Sequence, residues 1–266
     1  MFKTRVISGA VLIVILLLLL ITGGDILLAA LGVISLIGMY ELYKIFHIEK
    51  NAAGIPGYLA AVVYYLDLRF SFLPDREMLF FIFLILLLFV FVFSYPKYHA
   101  SQILAGFFAL FYVALMLSCI YGTRMLDHGK YLVWLIFICS WGCDTCAYCV
   151  GMLFGKHKMA PVLSPKKSVE GAVGGVAGSA ALAVIFGFVF RSQMQFEIFQ
   201  IVILAGICAV GALISMVGDL AASAIKRNYE IKDYGKLIPG HGGILDRFDS
   251  VIITAPIVFY LSAYLL

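Results

Sequence analysis

Long apolar runs alternate with short polar segments along the whole chain. Most of the runs continue for roughly 17 to 25 residues, which is the length that crosses a bilayer as an α-helix. They do not alternate every second residue, as the strands of a membrane barrel would. Nine spans are predicted, at about residues 6–22, 25–45, 55–67, 78–94, 101–121, 131–150, 169–190, 198–222 and 249–266. The third is the shortest, and counts of eight or ten stay open.

Composition supports the same class of protein. Hydrophobic residues make up 64% of the chain and charged residues only 13%. A soluble globule of this composition would expose far too much apolar surface. The predicted fold is therefore all-α, a polytopic helical bundle in a membrane.

Lysine and arginine are distributed unevenly between the two predicted sides of the membrane. If the N-terminus is cytoplasmic, fourteen of the nineteen basic residues fall in inside segments and five in outside segments. Cytoplasmic loops carry this excess, so a cytoplasmic N-terminus is predicted. A signal peptide over residues 1–22 is the weaker alternative, because no small-residue cleavage site is evident and the next span follows almost at once.

Four aspartates approach the cytoplasmic ends of the predicted spans. Asp144 lies in the inner half of the sixth span, and Asp219 lies near the inner end of the eighth. Asp246 and Asp249 lie where the ninth begins, three residues apart and so on one helical face. Carboxylates that converge beside lysines suit a divalent ion that handles phosphate oxygens. The alternative for Asp144 and Asp219 is a carboxylate that pairs with a lysine or caps a helix.

Glu41 is a further acidic residue within a span, near the inner end of the second. Lys44 follows three residues later, which places the two side chains on neighbouring positions of the helix surface. An interfacial ion pair is therefore expected for Glu41 rather than a role in chemistry.

Small residues on the sixth and seventh spans predict close helix packing. Four cysteines of the sixth span could be interpreted as a metal site. Packing is the better interpretation, because cysteine behaves as a small apolar residue in membrane helices, whereas zinc sites normally draw ligands from loops or several elements. Glycine pairs four residues apart favour helix packing over a phosphate-binding loop, since no Walker spacing is present. The residues concerned are Cys139, Cys143, Cys146 and Cys149, and Gly171, Gly174, Gly175 and Gly178.

Two polar segments on the predicted cytoplasmic side collect basic residues. In the first, residues 151–171, a run of serines and lysines directly precedes the seventh span, where backbone amides at a positive helix end bind anions. An ordinary basic loop is the alternative. In the second, residues 223–249, Gly242 and Gly243 follow His241 in a polar loop, where the backbone can approach a phosphate closely.

The second polar segment resembles the signature of a known family, the phosphatidate cytidylyltransferases, also called CDP-diacylglycerol synthases. The matching residues are Ser223, Lys226, Arg227, Lys232, Asp233, Gly235, Pro239, His241, Gly242, Gly243, Asp246, Arg247 and Asp249. Further blocks that resemble the family are Asp144-Thr145, Phe154-Gly155-Lys156-His157, Ser164-Pro165-Lys166-Lys167-Ser168, Glu170-Gly171 and Gly218-Asp219-Leu220. The first five spans carry no such motif.

The resemblance implies an integral membrane enzyme that uses CTP and a divalent metal, Mg²⁺ or another, to convert phosphatidic acid into CDP-diacylglycerol and pyrophosphate. An N-terminal scaffold, residues 1–130, and a catalytic region, residues 131–266, would form one continuous membrane domain. The catalytic residues implied are Asp144, Lys167, Asp219, Lys226, Arg227, His241, Asp246, Arg247 and Asp249. The metal ligands implied are Asp144, Asp219, Asp246 and Asp249, and the substrate-binding residues are Ser164, Lys166, Ser168, Ser223, Lys232, Gly242 and Gly243.

His241 is expected to orient a phosphate or a carboxylate, because a phosphate monoester is already ionised near neutral pH and needs no general base. A general-base role is the alternative.

Expected partners are CTP, phosphatidic acid and the lipid bilayer, with no nucleic acid. A homodimer is implied by the resemblance only. The expected location is the bacterial inner membrane, with the site facing the cytoplasm. A CTP-dependent lipid kinase of the polyprenol type stays open as an alternative, and so does an ion transporter with Asp144 and Asp219 at midplane. Dense lysine segments at one face favour the enzyme.

Overall fold

The structure, a computed structural model, describes residues 2–266, with side chains from Val6 onward. Its secondary structure is almost entirely helical, which confirms the predicted fold class. The helices are α1 (Phe2–Thr22), α2 (Gly24–Ile45), α3 (Ile55–Phe70), α4 (Arg76–Phe93), α5 (Ala100–Met125), α6 (Gly129–Phe154), α7 (Val169–Val189), α8 (Ile198–Asn228) and α9 (Leu245–Leu265). A single further turn, Arg191–Met194, lies between α7 and α8.

Length and apolarity identify the helices that are able to cross a membrane. Within residues 2–266, seven helices meet both requirements, namely α2 and α4 to α9. In α1 the apolar stretch covers only Val6–Thr22, and α3 has 16 residues. Each of the nine predicted spans coincides with a helix. Nine crossings nevertheless stay a prediction, because α1 and α3 fall short of the usual length of about 20 apolar residues.

The chain forms two compact units. The first consists of Met1–Tyr121 and Asp233–Arg247, and the second of Gly122–Lys232 and Phe248–Leu266. From the sequence, residues 233–247 are expected to belong to the C-terminal catalytic region. In the structure these residues cluster with the N-terminal helices, so the family signature is shared between the two units.

Two helices contain π-helical turns, at Leu110–Leu115 in α5 and at Ile138–Gly142 in α6. A π turn widens the helix locally and changes the direction of the side chains that follow it. In α6, the hydroxyl of Ser179 from α7 donates a hydrogen bond of 2.9 Å to the carbonyl of Ile138. The turn ends just before Asp144 and therefore sets the direction of that carboxylate.

Helices α6 and α7 pack closely through small residues. Gly174 lies against Val150, and Gly178 lies against Cys146. A Cβ on Gly174 would approach the Val150 side chain to 2.5 Å, closer than side chains tolerate. All six cysteines are free thiols. The predicted packing is therefore confirmed, and the glycine face is used within the chain.

The segment between α6 and α7 is a β-hairpin rather than an irregular loop. Strand β1 (Lys158–Ala160) pairs antiparallel with β2 (Ser164–Ser168). Successive side chains of a strand point to opposite faces. Lys166 and Lys167 therefore point in opposite directions, although they are neighbours in the sequence.

The close contact of α6 with α7 predicts different effects for the same substitution at two glycines. Gly174→Ala is expected to destabilise the protein by about 1–3 kcal/mol, because the new methyl group overpacks the stiff Val150 side chain. Gly206→Ala in α8 is the matched control, since no atom lies within 4 Å of the place that its new methyl group would take. Thermal unfolding in detergent measures both, and equal melting temperatures for the two variants would contradict the packing.

Candidate active site

A basic and an acidic side chain meet at the end of the hairpin. Lys167, in β2, forms an ion pair with Asp219 of α8. Both side chains are about one quarter exposed, at 24% and 25%. The Nζ atom of Lys167 is itself buried, so the exposed part of this side chain is its stem, and the ammonium group neutralises part of the acidic charge of Asp219 away from water.

Two further carboxylates and a second lysine belong to the same neighbourhood. Asp249, in the second turn of α9, interacts electrostatically with Asp219, Lys226 and Asp144. Asp249 is half-buried and Asp144 is exposed. These five residues, Asp144, Lys167, Asp219, Lys226 and Asp249, are called the acid–lysine cluster below.

A glycine allows the two helices of the acid–lysine cluster to approach each other. A Cβ on Gly218 would lie 3.0 Å from the carbonyl oxygen of Asp249. The backbones of α8 and α9 are therefore in close contact at this level. This contact explains physically why a glycine precedes Asp219, and it brings the Asp219 and Asp249 carboxylates within electrostatic range of each other.

The hairpin that carries Lys167 is fixed to the start of α7 by two polar residues. Ser168 is the N-cap of α7, and its hydroxyl accepts a 3.1 Å hydrogen bond from the Gly171 amide. The Glu170 carboxylate accepts hydrogen bonds from the amides of Lys156 and His157, at 3.1 and 3.2 Å. It also contacts Nδ1 of His157 at 2.6 Å. These contacts hold Lys167 in place.

The length of α8 places Asp219 near the edge of the apolar region. The helix has 31 residues, about 46 Å at 1.5 Å per residue, whereas a hydrocarbon core is about 30 Å thick. Asp219 comes about 32 Å along the helix by the same measure. The last turns of α8, with Lys226 and Arg227, are therefore long enough to extend into water.

The signature loop, residues 233–247, is organised around a buried aspartate in the first unit. Asp246 is 7% exposed, and its Oδ2 accepts hydrogen bonds from the amides of Tyr234 (2.8 Å) and Gly243 (2.9 Å). Gly242 adopts a φ of 88°, and its α-carbon lies against the Asp246 carboxylate. Asp246 therefore closes the loop. Its assignment as a metal ligand stays a prediction.

A second buried carboxylate, Glu41 of α2, reaches the same loop. Its Oε1 accepts the amide hydrogen of Ile244 at 3.0 Å, and its Oε2 accepts that of Leu245 at 2.9 Å. The sequence predicts an interfacial ion pair with Lys44. The structure instead uses both oxygens of Glu41 to bind the backbone where α9 begins, while the Lys44 side chain is exposed.

Histidine 241 is held by the first helix. Its Nδ1 lies 2.8 Å from the hydroxyl of Ser8, which also donates to the carbonyl of Pro239 at 3.0 Å. The ring is half-buried in this arrangement. The structure therefore fixes the orientation of His241, and its part in chemistry stays a prediction.

The remaining predicted residues differ in accessibility. Ser168 is buried and its hydroxyl caps α7, and the Gly243 amide is bound to Asp246. Binding of substrate by either residue would require an exchange of these partners. The half-buried residues are Ser164, Ser223 and Gly242, and the exposed residues are Lys166, Arg227, Lys232 and Arg247. Their substrate contacts stay predictions.

The donor chemistry of the acid–lysine cluster fits a hard divalent ion. Mg²⁺ in phosphate chemistry is commonly held by one or two carboxylates together with substrate phosphates. Asp219 and Asp249 offer such a pair. Within residues 2–266, no three His, Cys, Asp or Glu side chains lie close enough to hold an ion by themselves. The predicted four-aspartate site is thus not assembled by the protein alone, and metal dependence stays a prediction.

Three polar residues with structural contacts were not among the predicted site residues. Glu41, Ser8 and Glu170 each bind backbone or a predicted site residue. Only Glu41 gave a usable signal, because a carboxylate inside an apolar helix is costly and points to a specific partner. The partner itself lies 203 residues away and was not predictable from local spacing.

Comparison with known proteins identifies the family of this chain. The sequence model of the cytidylyltransferase family matches residues 3–265. A phosphatidate cytidylyltransferase of Staphylococcus aureus (strain COL) is 32% identical over 267 residues, covering 96% of this chain and 97% of the relative. Phosphatidate cytidylyltransferases of Rickettsia felis (39% over 154 residues) and Bacillus subtilis (38% over 156 residues) each match 58% of this chain, and 68% and 56% of their own lengths. The chain therefore belongs to the cytidylyltransferase family and is an integral membrane nucleotidyltransferase.

Proposed function

We propose that this protein is a CTP:phosphatidate cytidylyltransferase, which converts phosphatidic acid and CTP into CDP-diacylglycerol and pyrophosphate in phospholipid biosynthesis. The observation that carries the proposal is the acid–lysine cluster, in which Lys167 pairs with Asp219 and Asp249 lies within electrostatic range. All three residues lie in blocks that resemble the family, and full-length relatives bear this name.

In the reaction, a phosphate oxygen of phosphatidic acid attacks the α-phosphorus of CTP. A new P–O bond forms, the bond between the α- and β-phosphates breaks, and pyrophosphate leaves. Both reactants are anions, so neutralisation of charge matters more than a covalent intermediate. The nucleophile is already ionised near neutral pH, and His241 is therefore assigned to orienting a phosphate.

Lys167 and Lys226 supply positive charge beside the carboxylates of the cluster. An ammonium group neutralises phosphate oxygens as a point charge and does not impose one geometry. Asp219 holds the Lys167 ammonium group in an ion pair, with the Nζ atom buried, so a phosphate would have to exchange with this carboxylate to bind it. We assign Lys167 to the transferred phosphate, and Lys226, Arg227 and Lys232 to the phosphates of CTP.

Asp219 and Asp249 would hold a divalent cation, with Asp144 in support. When bound there, such a cation would supply Lewis-acid stabilisation of the charge that develops on the leaving pyrophosphate. The contribution of the chain is to keep two carboxylates close together despite their repulsion, through the contact of Gly218 with the α9 backbone and the lysines nearby.

We propose the bacterial inner membrane as the location, with the site on the cytoplasmic side. CTP is soluble, whereas phosphatidic acid is held in the leaflet by its acyl chains, so the chemistry has to occur where helix ends meet water. The excess of lysine and arginine on the predicted inner side supports this orientation. Homodimer formation stays a prediction, and the glycines of α7 that face α6 are already used within the chain.

Cytidylyl transfer is tested with CTP labelled separately at the α- and γ-phosphates. We expect the α label in the lipid and pyrophosphate in solution when detergent-purified protein acts on phosphatidic acid. Asp249→Asn should reduce this transfer by roughly 10²- to 10³-fold, because it removes a negative charge that would hold the divalent cation beside the reacting phosphates. Asp75→Asn, an exposed aspartate ahead of α4, is the control and should retain full activity. Transfer of the γ label to a lipid alcohol would contradict the proposal in favour of a kinase.

Adjacent lysines of β2 are expected to differ in effect. Lys167→Ala should lower kcat by roughly 10²-fold, because it removes the cation paired with Asp219. Lys166→Ala should raise the KM for CTP by only a few-fold, since this side chain is exposed and points away from that pair. Steady-state kinetics on both variants provide the measurement. Equal kcat values for the two would show that the strand does not orient Lys167 as described.

Removal of divalent ions should abolish the transfer and leave the protein folded. Chelation with EDTA is expected to stop α-label transfer, and added Mg²⁺ should restore it, because two neighbouring carboxylates and a triphosphate together form an oxygen site. Unfolding curves with and without EDTA control for loss of structure. Unchanged activity after dialysis against EDTA would overturn the metal assignment to Asp219 and Asp249.

A further inference from the structure

Glu41 performs at long range what a local N-cap residue normally does. The first amides of a helix have no partner within the helix, and the residues before α9 are Gly242, Gly243 and Ile244, none of which has a side-chain acceptor. Glu41 comes from α2 and binds two of these amides, one with each oxygen. A carboxylate at this end also complements the positive pole of the helix.

The glycines of the signature loop leave room for this carboxylate. Gly235 and Gly243 both have their α-carbons directly against Glu41, so that a Cβ on either residue would collide with its carboxylate oxygens. These two positions accept no side chain as long as Glu41 occupies its present place. The loop is therefore shaped around Glu41, which is 4% exposed.

Glu41 and Asp246 divide the amides at the start of α9 between them. Asp246 binds the Gly243 amide, and Glu41 binds the amides of the next two residues. The two buried carboxylates repel each other electrostatically, yet the run of amides stabilises both. The start of α9 is thus bound both by Glu41 of α2 and by Asp246 of α9 itself.

We propose that Glu41 is a positioning residue for cytidylyl transfer, because it binds the backbone where α9 begins and thereby fixes the acidic and basic side chains of the first turn. Without these two acceptors the first amides would lose their partners, and the residues of the first turn would leave the helical conformation that sets their side-chain directions about 100° apart. Asp246 and Arg247 lie within this turn. This inference rests on the proposed function, since the transfer is the reaction that it affects.

Glu41→Gln tests the inference with little change of shape. Glutamine offers one acceptor and turns its NH₂ group towards an amide N–H, so one of the two contacts becomes a donor–donor repulsion. We expect kcat for α-label transfer to fall by roughly 10- to 100-fold, because misplaced reacting groups lose rate. The KM for CTP should stay within about threefold, since the interaction lost acts on the transition state rather than on nucleotide binding. Rates are expressed per CTP-binding site, which corrects for unfolded protein.

Asp67→Asn is the matched control for loss of a buried carboxylate. Asp67 of α3 is 1% exposed, accepts the Leu73 amide at 2.8 Å and pairs with Arg76 at 2.7 Å. Its loss is expected to lower the melting temperature while kcat per binding site stays at the wild-type value. A purely structural role for Glu41 would give this same pattern in Glu41→Gln, and that result would overturn the proposal.

Gly235→Ala approaches the same contact from the opposite side. Its new methyl group would push against Oε1 of Glu41, so we expect the same fall in kcat with KM retained. In the double variant with Glu41→Gln, the loss should be smaller than the product of the two single losses, since both act on one contact. A folded Gly235→Ala protein with the wild-type kcat would contradict the proposal. This test remains valid even if Glu41→Gln fails to fold. Absence of transfer by the wild type would instead refute the proposed function.

Discussion

A charged side chain in so apolar a chain needs a partner, because an isolated charge placed in hydrocarbon costs several kcal/mol. The structure meets this constraint in two ways. In the second unit, lysines neutralise aspartates, as Lys167 does for Asp219. In the first unit, buried carboxylates bind backbone amides, as Glu41 and Asp246 do. The contacts that make burial tolerable also fix side chains to which we assign the chemistry.

Occupation of the start of α9 by carboxylates has a consequence for substrate recognition. Helix N-termini are ready-made anion-binding sites, and the glycines before α9 are typical of such a site. Because Glu41 and Asp246 already bind the amides of residues 243–245, we assign phosphate binding to lysine and arginine side chains instead. The two lysines of the acid–lysine cluster lie close to carboxylates. This arrangement suits polyanionic substrates and products that bind and dissociate in each catalytic cycle.

Much of the fold was predictable because lipid restricts the solutions. Runs of apolar residues long enough to span a bilayer have to be helices, and every predicted span coincides with one. The π turn at Ile138–Gly142 and the hairpin at Lys158–Ser168 were not predictable, since neither changes the hydrophobic pattern. The sequence predicts Asp219 and Lys167 as site residues, which stays a prediction, but it does not predict their pairing, which depends on the strand alternation of the hairpin. The partner of Glu41 could be identified only in the folded chain.

Glycines illustrate the same limit of prediction. A glycine can serve close packing or the approach of a ligand, and its position in the sequence does not distinguish the two. Gly174 and Gly178 serve helix packing, as predicted, whereas Gly243, predicted to approach a phosphate, makes space for the Glu41 carboxylate.

The proposed chemistry requires that the acid–lysine cluster binds the reacting phosphates. The most direct test is an experimental structure, by electron cryo-microscopy, of the protein with Mg²⁺ and α,β-methylene-CTP, in which the scissile bond is replaced by a stable one. We expect triphosphate density in contact with Lys167, with an ion between the phosphates and the carboxylates of Asp219 and Asp249. Nucleotide density remote from Asp219 and Asp249 would contradict this mechanism.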